Sequence, residues 1–168
     1  MLSYPTKYVL DANVFIEAAR RYYAFDIAKP FWDGLTNYAK KGELGSIDKV
    51  KDEIQKGNDD LKKWAESDFA KYFYSTQHSD VMNFYMKLVQ WVQAQKQYTQ
   101  KAKDIFMESN NADTWAIAFS LAYNLILVTH EVLSPDAQKR IPIPNVCEAF
   151  GIQYCDTFKM LRDLGFTF

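Results

Sequence analysis

Several residue types that usually reveal chemistry are scarce in this chain. Cysteine occurs twice in 168 residues, at Cys147 and Cys155. That is too few for a disulfide framework, and neither has the partner spacing of a zinc site. Histidine also occurs only twice, at His78 and His130. No apolar run approaches the ~18 residues that a membrane span needs. Charge of one sign is lacking as well: 20 Lys and Arg stand against 21 Asp and Glu, a formal net charge of −1. Such a balance excludes a protein that grips nucleic acid through a strong overall positive field. There is no internal repeat and no low-complexity tract. The N-terminal stretch Met1–Lys7 leads into only a short apolar segment, so no signal peptide is expected. The expectation is a soluble cytoplasmic protein without a membrane segment.

What the chain has in quantity is core-forming material. Hydrophobic residues make up 48% and aromatic residues 16%, which argues against long disorder. The length suits one domain spanning residues 1–168. Tyr8-Val9-Leu10 is a short run rich in β-formers and reads as a buried strand. A helix follows through Val14, Phe15, Ala18 and Ala19 to the Arg20-Arg21 pair, and a second covers Ile27 to Lys41. Leu44–Ile47 is compatible with a second strand. Ser46 or Asp48 could then cap a helix carrying Val50, Glu53 and Ile54. Residues 61–106 show helical patterning only and read as a helical insertion. Trp115–Tyr123 is a strongly apolar helix. Leu125–Thr129 is continuously apolar and β-branched, as a strand covered on both faces should be. Pro144 could open a short helix to Phe150, residues 151–155 read as a last strand, and Phe158–Leu164 as a last helix. Strands separated by helices predict an α/β fold: a three-layer α/β/α sandwich around a mainly parallel central sheet.

Ligands of such sheets bind beyond the carboxyl ends of the strands. Asp11 follows the first strand, and Thr129 and Glu131 follow the strongest one. Asp113 lies in the first turn of the helix that leads into that strand. Glu53 shares a helix with Val50 and is expected to point inward. Clustered carboxylates without Cys or His nearby are what Mg²⁺ or Mn²⁺ requires. Taken singly, each acid could equally be a helix cap or a partner of a helix dipole. Four together would raise at least one pKa substantially unless a cation intervened.

These residues carry a resemblance. Tyr8-Val-Leu-Asp-Ala-Asn-Val-Phe-Ile16 resembles the opening strand of the PIN-domain superfamily, with its Asp-x-Asn after an apolar run. Glu53 in Val50–Ile54, Asp113 in Ala112–Ala118 and Glu131 in Val128–Glu131 are similar to that superfamily's second, third and fourth acids. The segments Phe15–Tyr23 and Ile143–Gly151 look like those of a bacterial PIN-like branch of unknown function. The resemblance covers most of the chain and is weakest over 61–106. It implies a metal-dependent endoribonuclease acting on RNA, often the toxin of a toxin–antitoxin pair, with a cognate antitoxin and a homodimer as possible partners. Asp11, Asp113, Glu131 and Glu53 would be the catalytic and metal-holding residues for Mg²⁺ or Mn²⁺. Asn13 and Thr129 would hydrogen-bond and orient those carboxylates. The superfamily has Asp where this chain has Glu131, and the longer side chain can reach an ion or swing clear of it. A catalytically degenerate PIN-like module that binds RNA or protein is therefore the alternative.

Haloacid-dehalogenase-like phosphatases also place an acid after the first strand, but they need a second aspartate where this chain has Asn13. Among other residues, His130 would alternate away from the face shared by Thr129 and Glu131. His78 would merely precede a helix. Arg20, Arg21, Lys139 and Arg140 could contact phosphates, and Trp64, Trp91 and Trp115 could stack bases, although at helical spacing such residues are more often core. Both cysteines read as small buried hydrophobes. With four acids gathered at one site, the rest of the chain carries +3, and one bound divalent ion would take the whole to +1. Near-neutrality therefore leaves room for a nuclease whose phosphate attraction is local.

Overall fold

Tyr8–Leu10 forms strand β1, and its three side chains are at most 2% exposed. A strand so short can be this dry only with neighbours on both edges and layers on both faces. The computed structural model describes residues 6–168; of the N-terminal stretch read above, residues 1–5 lie outside the described residues. β1 pairs with β2 (Leu44–Ile47) on one side and β4 (Ile126–Val128) on the other. β3 (Phe73–Tyr74) extends the β2 edge and β5 (Tyr154–Cys155) the β4 edge. The order is β3-β2-β1-β4-β5 with every pairing parallel. This is an α/β protein of three layers, and the sheet expected to be mainly parallel is parallel throughout.

The helices follow from local signals. α1 (Ala12–Glu17) starts where the Asp11 carboxylate accepts the Val14 N–H at 3.1 Å. It continues into a π-helical turn, Ala18–Tyr22, closed by Tyr23 N–H donating to the Ala18 carbonyl at 2.7 Å. α2 (Lys29–Lys40) begins two residues later than the periodicity suggests, because Pro30 belongs to a first turn. Tyr23 and Phe25, from the connection before it, stack on Phe31 and Trp32 at 4.2 and 4.1 Å. α3 (Asp48–Ile54) follows β2, but neither expected cap serves it. The Ser46 hydroxyl instead donates to the Leu10 carbonyl at 2.6 Å, tying β2 to β1. Asp48 accepts from the Thr76 N–H and hydroxyl at 3.0 and 2.8 Å, which anchors the chain leaving β3.

Residues 61–106 depart from the purely helical expectation. They hold α4 (Asp60–Glu66, which begins one residue earlier), α5 (Ser79–Ala94) and α6 (Gln100–Phe106), but also strand β3. Two strand residues give no readable period, and only pairing with Ser46 and Ile47 makes them a strand. α7 (Ala112–Tyr123) is buried almost all round and packs on β1, β2, β4 and α5. Trp115 stacks on Tyr85 of α5 at 4.0 Å. α8 (Ile143–Phe150) and α9 (Thr157–Asp163) complete the chain. No helix among the described residues is long and apolar enough to cross a membrane.

Gly45, paired with Val9 in the sheet, marks one close approach. A Cβ there would lie 2.5 Å from Tyr74 Cε2 and 3.2 Å from the Tyr72 carbonyl oxygen. Gly45→Ala should therefore overpack the β2–β3 edge and lower the unfolding free energy by about 1–3 kcal/mol. A urea denaturation midpoint equal to wild type would show that the edge yields instead.

Candidate active site

The chain winds from β1 through β2 to β3, then returns to the other side of β1 as β4. The order thus reverses between β1 and β4, where sheets of this kind leave a crevice beyond their carboxyl ends. Asp11 leaves β1 at that point, its N–H donating to the Val128 carbonyl at 3.1 Å. Thr129 leaves β4 beside it and donates its N–H to Cys155 at 2.9 Å. Asp11 and Thr129 are 1% and 2% exposed.

Asp11 is the least hydrated acid of the site. One oxygen, Oδ1, accepts from Val14, while Oδ2 is buried without a hydrogen-bond partner. Thr129 lies close enough to favour the charged form but makes no well-formed hydrogen bond to Oδ2. Burial dominates and pushes the Asp11 pKa up to about 7; the Asp113 charge adds to the rise, while Thr129 and the Val14 and Asn13 N–H groups oppose it. Asp113 sits in the first turn of α7, its N–H capped by the Asn111 side chain at 3.0 Å. Burial raises its pKa to about 6, the Glu53 charge adds to this, and Arg140 opposes it. The Asp113 charge therefore acts on Asp11, and the Glu53 charge on Asp113.

The other predicted residues are placed less simply. Glu53 does not point inward: Val50 and Ile54 take the core face of α3, and Glu53 falls on its exposed flank. Asn13 is exposed, and among the described residues only its N–H, not its side chain, bonds near Asp11. Thr129 accepts the Glu131 N–H at 3.1 Å. Glu131 is engaged at both oxygens. Oε1 pairs with the Arg140 guanidinium, and Oε2 accepts the Ile143 N–H at the start of α8 at 3.1 Å. An acid at that helix end also complements its dipole.

Arg140, expected to contact phosphate, has a further role in the fold: it pairs with Glu131 and lowers the Asp113 pKa. Nothing in the spacing of an irregular loop could have shown that. His130 also departs from expectation. β4 ends at Val128, so strand alternation does not reach it, and it lines the same groove as Glu131. Trp64 and Trp115 are buried and Trp91 packs half-buried against Phe150. Cys147 is buried, and both cysteine thiols are held protonated by burial.

Among the described residues, no group of three or more His, Cys, Asp or Glu is gathered closely enough to hold a metal ion. A hard divalent cation needs less. Mg²⁺ keeps several waters and is commonly held by one or two carboxylates. Asp11, with its partnerless Oδ2, and Asp113 suit that demand; Glu131, occupied by Arg140 and Ile143, does not join them.

The buried carboxylate has a consequence for stability. The Asp11 pKa is raised on folding, so the protonated form stabilises the fold, fully below pH 3.8, and this contribution is lost as pH rises through about 7. At about 1.4 kcal/mol per pH unit the full effect is on the order of 4 kcal/mol. In chelator, wild-type stability should fall relative to Asp11→Asn between pH 4 and pH 8. Parallel stability–pH curves for the two proteins would show that Asp11 is ionised and solvated in the fold.

No curated protein and no solved structure matches the chain. A family model does, over residues 8–168, which takes in every strand and every acid described above. The chain belongs to the family described as a domain of unknown function, DUF4411.

Proposed function

We propose that this protein is a Mg²⁺- or Mn²⁺-dependent endoribonuclease that hydrolyses RNA phosphodiesters. The observation that carries the reading is the Asp11–Asp113 pair: two carboxylates from different elements, Asp11 buried at the sheet's switch crevice and Asp113 half-buried, with the Asp113 charge raising the Asp11 pKa and the two displaced to about 7 and about 6. A structural acid is seldom kept as dry as Asp11 beside a second negative charge, because the arrangement costs stability. A cation held by these acids would offset that cost.

Asp11 and Asp113 would hold the ion. Once bound, such an ion lowers the pKa of its water and offsets charge developing on the scissile phosphate. The protein's own groups do the rest. Thr129 and the N–H groups of Val14 and Asn13 keep Asp11 oriented toward the crevice. Glu53 adds negative charge to Asp113 from outside. Arg140, on the exposed side of the Glu131 pair with two-thirds of its side chain in solvent, would supply a cation for the substrate backbone. The PIN-like resemblance extends the reading to a toxin restrained by a cognate antitoxin.

The second reading, a PIN-like module that binds RNA or protein without cutting, is favoured by one observation: both Glu131 oxygens are already taken. A single set of assays separates the two. Wild type should cleave single-stranded RNA in Mn²⁺ and stop in EDTA, with Asp11→Asn and Asp113→Asn each slower by more than ~100-fold. Mn²⁺ should also raise the melting temperature of wild type and not of Asp11→Asn. Equal cleavage by all three proteins would mark a contaminant, and RNA binding without cleavage would establish the module.

A further inference from the structure

Beside the acid pair, three rings from three separate elements converge at the surface. Tyr22 comes from the π-helical turn, His130 from the loop after β4 and Phe158 from α9. Their centroids are 6.2 Å apart for Tyr22 and Phe158, and 6.5 Å for each of the pairs with His130. Tyr22 is 55% exposed and Phe158 38%. Converging exposed rings forgo the burial that normally stabilises aromatic side chains, so they indicate a surface kept for contact.

Each ring is held in place from below. The π turn splits two adjacent tyrosines, sending Tyr23 inward onto Phe31 at 4.2 Å and leaving Tyr22 outside. Single π turns of this sort recur at functional sites. His130 Nε2 and the Thr157 hydroxyl are 2.9 Å apart, and buried Thr157 directly precedes Phe158. Tyr22 and His130 line a groove of about 510 Å³ together with Asn13, Glu131 and Arg140, and Phe158 lines an adjoining cavity that shares His130 and Glu131 with it. That volume falls within the ~300–1,000 Å³ of small-molecule clefts.

We propose that Tyr22, His130 and Phe158 form a stacking platform for an unpaired nucleobase, with Tyr22 and His130 in the groove that also presents Asn13, Glu131 and Arg140 and Phe158 at its edge. The inference rests on the nuclease reading and names its substrate as single-stranded. Every base has a π face that aromatic side chains can stack on. The same groove presents the Arg140 guanidinium, the charge a neighbouring phosphate needs. The rings are inclined at 41° to 80° to one another, so a planar base would stack on one of them and meet the edges of the others.

The test uses two probes of equal length, a single-stranded oligouridylate and an abasic ribose-phosphate oligomer, with Ca²⁺ in place of Mn²⁺. By fluorescence anisotropy wild type should bind the RNA roughly 5- to 100-fold more tightly than the abasic chain. Tyr22→Ala and Phe158→Ala should abolish most of that preference and leave abasic binding unchanged, while Tyr22→Phe keeps it. An undiminished preference in both alanine variants, or none in wild type, overturns the platform and leaves the nuclease reading standing. Binding of neither probe by wild type defeats the nuclease reading, and the platform with it. A wild-type dimer in sedimentation that Tyr22→Ala dissociates, with RNA preference intact, would assign the rings to a protein contact instead.

Discussion

A carboxylate at the end of the central strand, taken almost wholly out of water, is the constraint on which the rest of this structure depends. Asp11 cannot be hydrated because β1 lies between β2 and β4 and beneath α7. It cannot move away because its Oδ1 begins α1. The fold therefore holds an orphaned oxygen in a crevice, and every neighbouring feature answers to that oxygen. Thr129 and two backbone N–H groups favour the charged form, and the Asp113 charge drives it the other way. The same apolar packing that makes the sheet rigid makes the acid unstable as an anion, and this coupling joins the core to the chemistry.

The β4–α8 loop is the second structural element of the site. Glu131 reaches back to Thr129 through its N–H and forward to Ile143 through its carboxylate, closing the loop over the crevice. Arg140 then brings a guanidinium to the acids. An arginine so placed offsets part of the repulsion that would otherwise burden the fold. Because most of its side chain is exposed, that pairing is worth less than the burial of Asp11 costs. The acids thus remain poised for a stronger cation.

Legibility differed by element. β1 and β4 were readable because buried strands are continuous apolar runs, β2 only as compatible with a strand because Gly45 and Ser46 interrupt its apolar run, and α7 because its apolar residues leave no polar stripe. β3 was not, since two residues carry no period and the strand exists only through β2. Asp11, Asp113 and Thr129 were readable as acids and hydroxyls at strand and helix ends, positions that any parallel sheet carries to one edge. Glu53 was read one face wrong: a helix of seven residues has a narrow buried side, and i+3 from Val50 lies at its margin. Arg140 and the three rings were not readable as a set, because they lie on irregular segments where spacing implies no direction.

From sequence alone came the alternation of strands and helices, the acids at their ends and the scarcity of thiol and imidazole groups, since these depend only on local pattern and composition. Which acids meet, how dry they are and what they pair with were decided by tertiary structure. The switch between β1 and β4 brings together residues about a hundred positions apart, and burial, not residue type, sets the charge that Asp11 and Asp113 carry.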